Sequence, residues 1–134
     1  MAVRVFKPAT TVKGKLLNIC EKMIFNFAKR YQRKKIYPAT VICANYNREF
    51  VIDKSGAVPI NLANQLKIQL STLGTIGERN SSGNFIGRCS EVRASNPILN
   101  HNPHLRTQQV HFSNAYRPRT MQMIPTCSNC TRTF

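Results

Sequence analysis

The hydrophobic pattern of this chain changes period at Pro38. Before it, Val12, Leu16, Ile19, Cys20, Met23, Phe27 and Tyr31 recur at intervals of three and four, the repeat of one helix face. The spacing predicts a helix from about Thr11 to Arg33. After Pro38, Ala39 to Tyr46 and Glu49 to Asp53 alternate apolar with polar residues. That predicts a β-hairpin joined near Asn45-Tyr46-Asn47-Arg48. Lys54-Ser55-Gly56 breaks the second strand, and Pro59 opens the series Leu62, Leu66, Leu70, Leu73, which reads as a second helix closed by Gly74. Gly77 to Gly87, with Asn80-Ser81-Ser82-Gly83-Asn84 inside it, reads as a loop. A short helix follows over Cys89 to Leu99, which Pro97 is expected to end or kink, and His101 to Arg106 forms a second loop. Gln109 to Tyr116 reads as a third strand, terminated by Arg117-Pro118-Arg119, and Thr126 to Phe134 has room for a last turn or two of helix. Helices interleaved with strands place the chain in the α/β class.

Charge adds a partner to this outline. Lys and Arg number 20 against 5 acids, for a formal net charge of +15 in 134 residues, a balance that calls for an anionic partner, with nucleic acid first. Residues 1 to 35 hold ten basic side chains and one acid, Glu21. We therefore divide the chain into a basic amphipathic helical arm, 1–36, and a body, 37–134. The apolar stretches, such as Ala39-Thr40-Val41-Ile42-Cys43-Ala44, fall far short of the ~20 residues of a membrane-spanning helix. No secretory pattern follows Met1, so the expected location is the cytoplasm. Five cysteines, an odd number without a signal peptide, argue for reduced thiols or metal-bound thiolates over a disulfide framework. Cys20 and Cys43 fall on apolar faces and read as small core residues.

The other three cysteines have a spacing that carries chemistry. Cys127-Ser128-Asn129-Cys130 sets two thiols one helical turn apart, and Cys89 opens a helix with Glu91 two residues on. A catalytic zinc needs three such ligands and keeps its fourth position for water. A helix N-terminus favours the thiolate form, and Glu91 projects from the same first turn without itself needing to ligate. Zinc that acidifies a water, beside a carboxyl that shuttles its proton, is what hydrolytic deamination of a base requires. The pair Cys127 and Cys130 alone also suits a redox dithiol or a structural zinc knuckle. The joint pattern, Cys89-Ser90-Glu91 followed by Pro125-Thr126-Cys127-Ser128-Asn129-Cys130, has the form of the zinc-deaminase signature.

More than the generic signature is present. Gly87-Arg88-Cys89-Ser90-Glu91-Val92-Arg93-Ala94-Ser95-Asn96, then Arg117-Pro118-Arg119-Thr120, then Ile124 to Cys130 with Phe134, resemble the YwqJ-type deaminases of bacterial polymorphic toxins. Pro38-Ala39-Thr40-Val41, Ser55-Gly56 and the helix over Leu62 to Leu73 are also similar to that family, so the resemblance spans about Tyr37 to Phe134. The basic helix before it is not part of the match. The resemblance implies a three-layer, cytidine-deaminase-like α/β sandwich with a mixed sheet flanked by helices. It implies zinc on Cys89, Cys127 and Cys130, Glu91 as proton shuttle, and a nucleobase substrate, cytosine in preference to adenine. The chain departs from the wider superfamily where Thr126 separates Pro125 from Cys127, and in stopping four residues after Cys130. We expect a domain that is minimal or truncated there.

The positive charge favours single-stranded DNA or RNA as substrate, because counterion release rewards a basic groove and the target amine must leave the base stack. For a toxin tip, an acidic immunity protein is the matching partner and a target cell's cytoplasm the place of action. Arg117 and Arg119 could hold a phosphate or pair with acids in the fold. Asn45 and Asn84 could bond a sugar or base edge, or serve as ordinary turn residues. His101, His104 and His111 read as solvated or structural, and Glu21, Glu49, Asp53 and Glu78 as surface or capping acids. Two rival readings remain: a nucleic-acid-binding module around a structural zinc, with His111 or another group as fourth ligand, and a catalytically degenerate deaminase fold used as an interaction surface.

Overall fold

The β-rich stretch after Pro38 forms the centre of a sheet in the computed structural model, which describes residues 3–6 and 13–134. Strands β2 (Val41–Tyr46) and β3 (Glu49–Lys54) pair antiparallel from Val41↔Lys54 to Tyr46↔Glu49. The two-residue turn between them places Asn47 at φ 56°, a left-handed conformation that asparagine tolerates and a tight hairpin requires. A strand absent from the sequence reading, β1 (Val3–Phe6), pairs with the outer side of β3.

Helix α1 (Lys13–Arg33) follows β1, and the expected helix start at Thr11 and Val12 lies outside the described residues. Cys20, Ile24 and Ala28 form its deepest seam, packed on Val41, Cys43, Phe50 and Ile52 of the sheet. The apolar stripe read from sequence is therefore rotated: Ile19, Met23, Phe27 and Tyr31 flank the seam and are only partly buried. Lys22, Lys29, Arg30 and Arg33 face outward.

Helices α2 (Asn64–Ser71) and α3 (Ser90–His101) cover the opposite face. Leu66, Leu70, Val92, Ile98 and Leu99 pack there against Ile42, Ala44 and Val51. Covered on both sides, β2 and β3 are buried along five of their six residues, and the half-exposed hairpin implied by the alternation becomes the middle of the fold. Glu49 and Asp53 are consequently buried rather than surface acids. Asp53 faces Arg93 at 3.7 Å and Glu49 faces His101 at 3.8 Å.

The expected third strand is broken in two. Strands β4 (His111–Phe112) and β5 (Ala115–Arg117) both pair with β2. Between them, the Ser113 hydroxyl accepts a hydrogen bond from the Cys43 N–H at 3.0 Å, in place of a ladder carbonyl. A further strand, β6 (Gln122–Ile124), returns along β5, and α4 (Ser128–Thr133) ends the chain. The sheet order is β1-β3-β2-β5-β6 with β4 beside β2. Every described pairing is antiparallel, so the expected mixed sheet is corrected. Helix α3 runs through Pro97 to His101 without ending there, its last turns held by the fully buried Ile98 and Leu99. Helix α2 is shorter than its leucine series, since Leu62 and Leu73 pack from the flanking turns.

Cys20 and Cys43 form a disulfide between α1 and β2. Both are buried core residues as expected, but the reading of five reduced or metal-bound thiols is overturned. A seam that stacks Cys20 directly on Cys43 brings the sulfurs together, and no spacing in the sequence announces that contact. Cys89, Cys127 and Cys130 are free thiols. Among the described residues, no helix is long and apolar enough to cross a membrane.

Candidate metal centre

Two helices begin on cysteines. Cys89 is the N-cap of α3 and Cys127 the N-cap of α4, both extended; the Cys89 side chain makes no capping bond, whereas the Asn129 and Cys130 backbone N–H groups bond the Cys127 sulfur. Ser, Thr, Asp or Asn at such a position contributes about 1 kcal/mol by capping. Cys89 forgoes that stabilisation, and its sulfur and that of Cys127 both face a third thiol. Gly87, at φ 89°, turns the chain into α3 in a backbone conformation that side-chain-bearing residues rarely adopt. The turn delivers the Arg88 carbonyl to the Gly56 N–H at 3.0 Å, which ties the start of α3 to the end of β3.

In the first turn of α3, Glu91 is 8% exposed. The ligand atoms of Cys89, Glu91 and Cys130 all lie within 4.8 Å of one another, so these three can hold a metal ion. Cys127 joins them through Cys130, with which it shares a hydrogen bond. That bond holds the Cys127 thiol down at about 6, well below the ordinary 9.0. Cys130 is pushed the other way, by hydrogen bonds to Cys127 and Cys89 and by burial. A thiol that ionises readily, Cys127, thus bonds Cys130, which Cys89 bonds in turn, and three sulfurs in one packed cluster are the donor chemistry of a thiolate metal site.

A chain of hydroxyls positions the carboxylate. The Ser90 Oγ donates to Glu91 Oε1 at 3.1 Å and lies 2.9 Å from the Thr40 Oγ1. With Ser90 donating to Glu91, Thr40 donates to Ser90. Clefts open on both sides of the cluster. Cys89 and Cys127 line one of about 350 Å³, together with Ala39, Thr40, Ser55, Gly56, Asn84 and Phe85. Glu91 and Cys130 line another of about 500 Å³, beside His111, Phe112, Thr126 and Phe134.

The structure therefore brings together Cys89, Glu91, Cys127 and Cys130, and places Asn84 on the rim of the first cleft. It does not bring Asn45 there. Asn45 shares its sheet face with Val41 and Cys43, under α1, and donates to the His111 carbonyl at 3.4 Å. Asn45 is buried and lines neither cleft, away from where the sequence reading of a substrate contact would need it. Arg117 and Arg119 line neither cleft. The Arg117 carbonyl closes the turn before β6, and the Arg119 guanidinium lies 4.8 Å over the Tyr37 ring. Among the histidines, only His111 borders a cleft beside the cluster, and it is not among the grouped metal ligands. Sequence reasoning passed over Thr40, Ser90 and Phe85, although Thr40 and Ser90 both lie inside segments already singled out by resemblance. Comparison of the chain with protein-family models, curated proteins and solved structures returns no match.

Proposed function

We propose that this protein is a zinc-dependent deaminase that hydrolyses the exocyclic amine of a nucleobase, cytosine in preference to adenine, in single-stranded DNA or RNA. The observation that carries this reading is the grouping of Cys89, Glu91 and Cys130 within 4.8 Å, with Cys127 hydrogen-bonded to Cys130. In it, a carboxylate stands beside three thiols drawn from two segments far apart in sequence. Cys89, Cys127 and Cys130 would hold the metal, since soft thiolates suit zinc. Zinc, when bound, supplies the Lewis acidity that makes a water nucleophilic at neutral pH.

The chain's own residues do the rest. The first cleft, on which the Cys89 and Cys127 sulfurs open, admits the base, and the Glu91 carboxylate, which borders the second cleft, reaches it from the far side of the cysteine cluster. Glu91 takes a proton from the attacking water as its oxygen bonds to the amine-bearing ring carbon, and passes that proton to the ring nitrogen. The second water proton goes to the amine by the same carboxylate, the C–N bond breaks, and ammonia leaves a carbonyl behind. Thr40 and Ser90 hold Glu91 in place through their hydrogen bonds. The YwqJ-like segments Pro38 to Val41 and Ser55-Gly56 supply residues of this same cleft. Supporting the wider reading, helices stand on both faces of the sheet as in a cytidine-deaminase-like sandwich. A toxin tip of this kind would meet an acidic immunity protein, for which the +15 charge is suited.

One observation favours a second reading: the Glu91 carboxylate lies inside the metal-ligand group itself. As a fourth ligand it would close the site and make the zinc structural. Elemental analysis of purified protein, beside sequencing of single-stranded DNA and RNA exposed to it, separates the two. Zinc retained by Glu91→Gln, with C-to-U or A-to-I changes seen only in the parent, supports the deaminase. Zinc lost with Glu91→Gln and no base change in the parent supports the structural site.

A further inference from the structure

The segment 77–87 behaves as a hairpin more than as an open loop. The Gly77 N–H donates to the Ile86 carbonyl at 2.8 Å, the Ile86 N–H to Glu78 at 2.9 Å, and the Asn80 N–H to Asn84 at 3.2 Å. Arg79 and Phe85 form a bridge across it. The Asn80 side chain donates to Asn129 Oδ1 at 2.8 Å, which anchors the hairpin to the helix carrying Cys130.

This anchored hairpin and the residue after it present an aromatic ring and two guanidinium groups, of which Phe85 and Arg88 line the first cleft and Arg79 lies against the Phe85 ring. The Phe85 ring, 37% exposed, lines that cleft with Arg88, Cys89 and Cys127. The Arg79 guanidinium carbon lies 4.7 Å from the ring centre and that of Arg88 4.2 Å. The backbone and Asn129 bonds already hold the hairpin, so its fold does not need an exposed aromatic. A partly exposed ring with two guanidinium groups beside it supplies an aromatic surface on which unpaired bases stack and cations that meet the backbone phosphates.

We propose that Arg79, Phe85 and Arg88 form a stacking platform for the nucleotide next to the one that enters the cysteine cleft. The ligand is single-stranded polynucleotide and not a free nucleoside. The inference rests on the reading of the cleft as a base-binding site, but its test does not depend on catalysis.

Fluorescence anisotropy on the full-length protein would compare an oligothymidine, the same oligomer made wholly of abasic sites, and competition by free thymidine. Thymine carries no exocyclic amine, so binding is read without turnover. The expected result is at least about tenfold tighter binding of the oligothymidine than of the abasic strand. Phe85→Leu, which keeps apolar bulk and removes the ring, is expected to erase that ratio and leave abasic-strand affinity unchanged. Equal binding of the two strands by the parent protein would overturn the proposal without recourse to any variant. So would an unchanged ratio in Phe85→Leu, or free thymidine competing as well as the oligomer. Preferential binding of bases with no base change on sequencing would instead remove the deaminase reading and leave the platform standing.

Discussion

The two faces of the sheet are built to different ends. Under α1, the contacts are apolar but for Asn45: Cys20, Ile24 and Ala28 meet Val41, Cys43 and Phe50, every one of them fully buried, and a disulfide crosses the seam. Under α2 and α3, an apolar cluster of similar quality gives way towards the N-terminus of α3 to buried polar groups: Ser90, Glu91, Asp53 and Asn129. That end also leaves the Cys89 cap unmade. Burying polar groups and leaving a cap unmade both cost stability, so the α3 face gives up stability where the cysteine cluster is placed. The difference teaches that the α1 face secures the fold and the α3 face uses it.

Changes on the α3 face should alter chemistry more than stability. The largest effect is expected from Glu91→Gln, which should lower deamination by about 10²–10⁴-fold with zinc content unchanged by elemental analysis. Activity retained in that variant would break the contrast at its centre. Cys130→Ser should remove most of the bound zinc, because the sulfur that bonds both other thiols is lost. Full zinc occupancy in that variant would relocate the site.

On the other face, the paired change Cys20→Ser with Cys43→Ser should destabilise the protein by about 3 kcal/mol, the entropy of a closed loop of this length, with sequence separation 23. Denaturant melts would measure this, and zinc content should not move. A loss of zinc there would show that the faces are coupled. Ser90→Ala sharpens the contrast further. It removes the hydroxyl between Thr40 and Glu91, and should slow the reaction by about tenfold, the share of one hydrogen bond to a charged group. An unchanged rate in that variant would assign Ser90 to packing alone.

The smallest effect is a titration. Cys127 is held at about 6 against an ordinary 9.0, so in metal-free protein its thiolate stabilises the fold fully above 9.0, and that contribution is lost as pH falls through about 6. Alkylation at pH 7 followed by mass spectrometry should label Cys127 ahead of Cys130, and the reverse order would contradict the hydrogen-bonded arrangement.

Much of this division is legible in the chain because it rests on local periodicity. The change of period at Pro38 marks where helix yields to hairpin, and Cys89-Ser90-Glu91 with Cys127 and Cys130 marks residues that the fold does gather. What escapes has no local signature. Strands β4, β5 and β6 span two or three residues each, too few to display a period of two, and the break at Ser113 depends on a hydrogen bond to a residue 70 positions away. Asn45 looks like a turn residue because Asn47 stands close by, yet register buries it under α1. Phe85 was hidden inside a polar run, since its neighbours Arg79 and Arg88 meet it only once the hairpin closes.

One oxidised pair beside three free thiols also imposes an order of events on maturation. Before the chain is folded, any of its five cysteines can attack any disulfide. The native pairing survives only if α1 docks and seals Cys20 on Cys43 out of reach, or if the trio is occupied before an oxidant arrives. Preparations oxidised without metal should therefore contain scrambled isomers, whereas metal added first should give a single species. The seam under α1 thus serves as a sorting device as well as a clasp, because it decides which sulfurs remain free for chemistry.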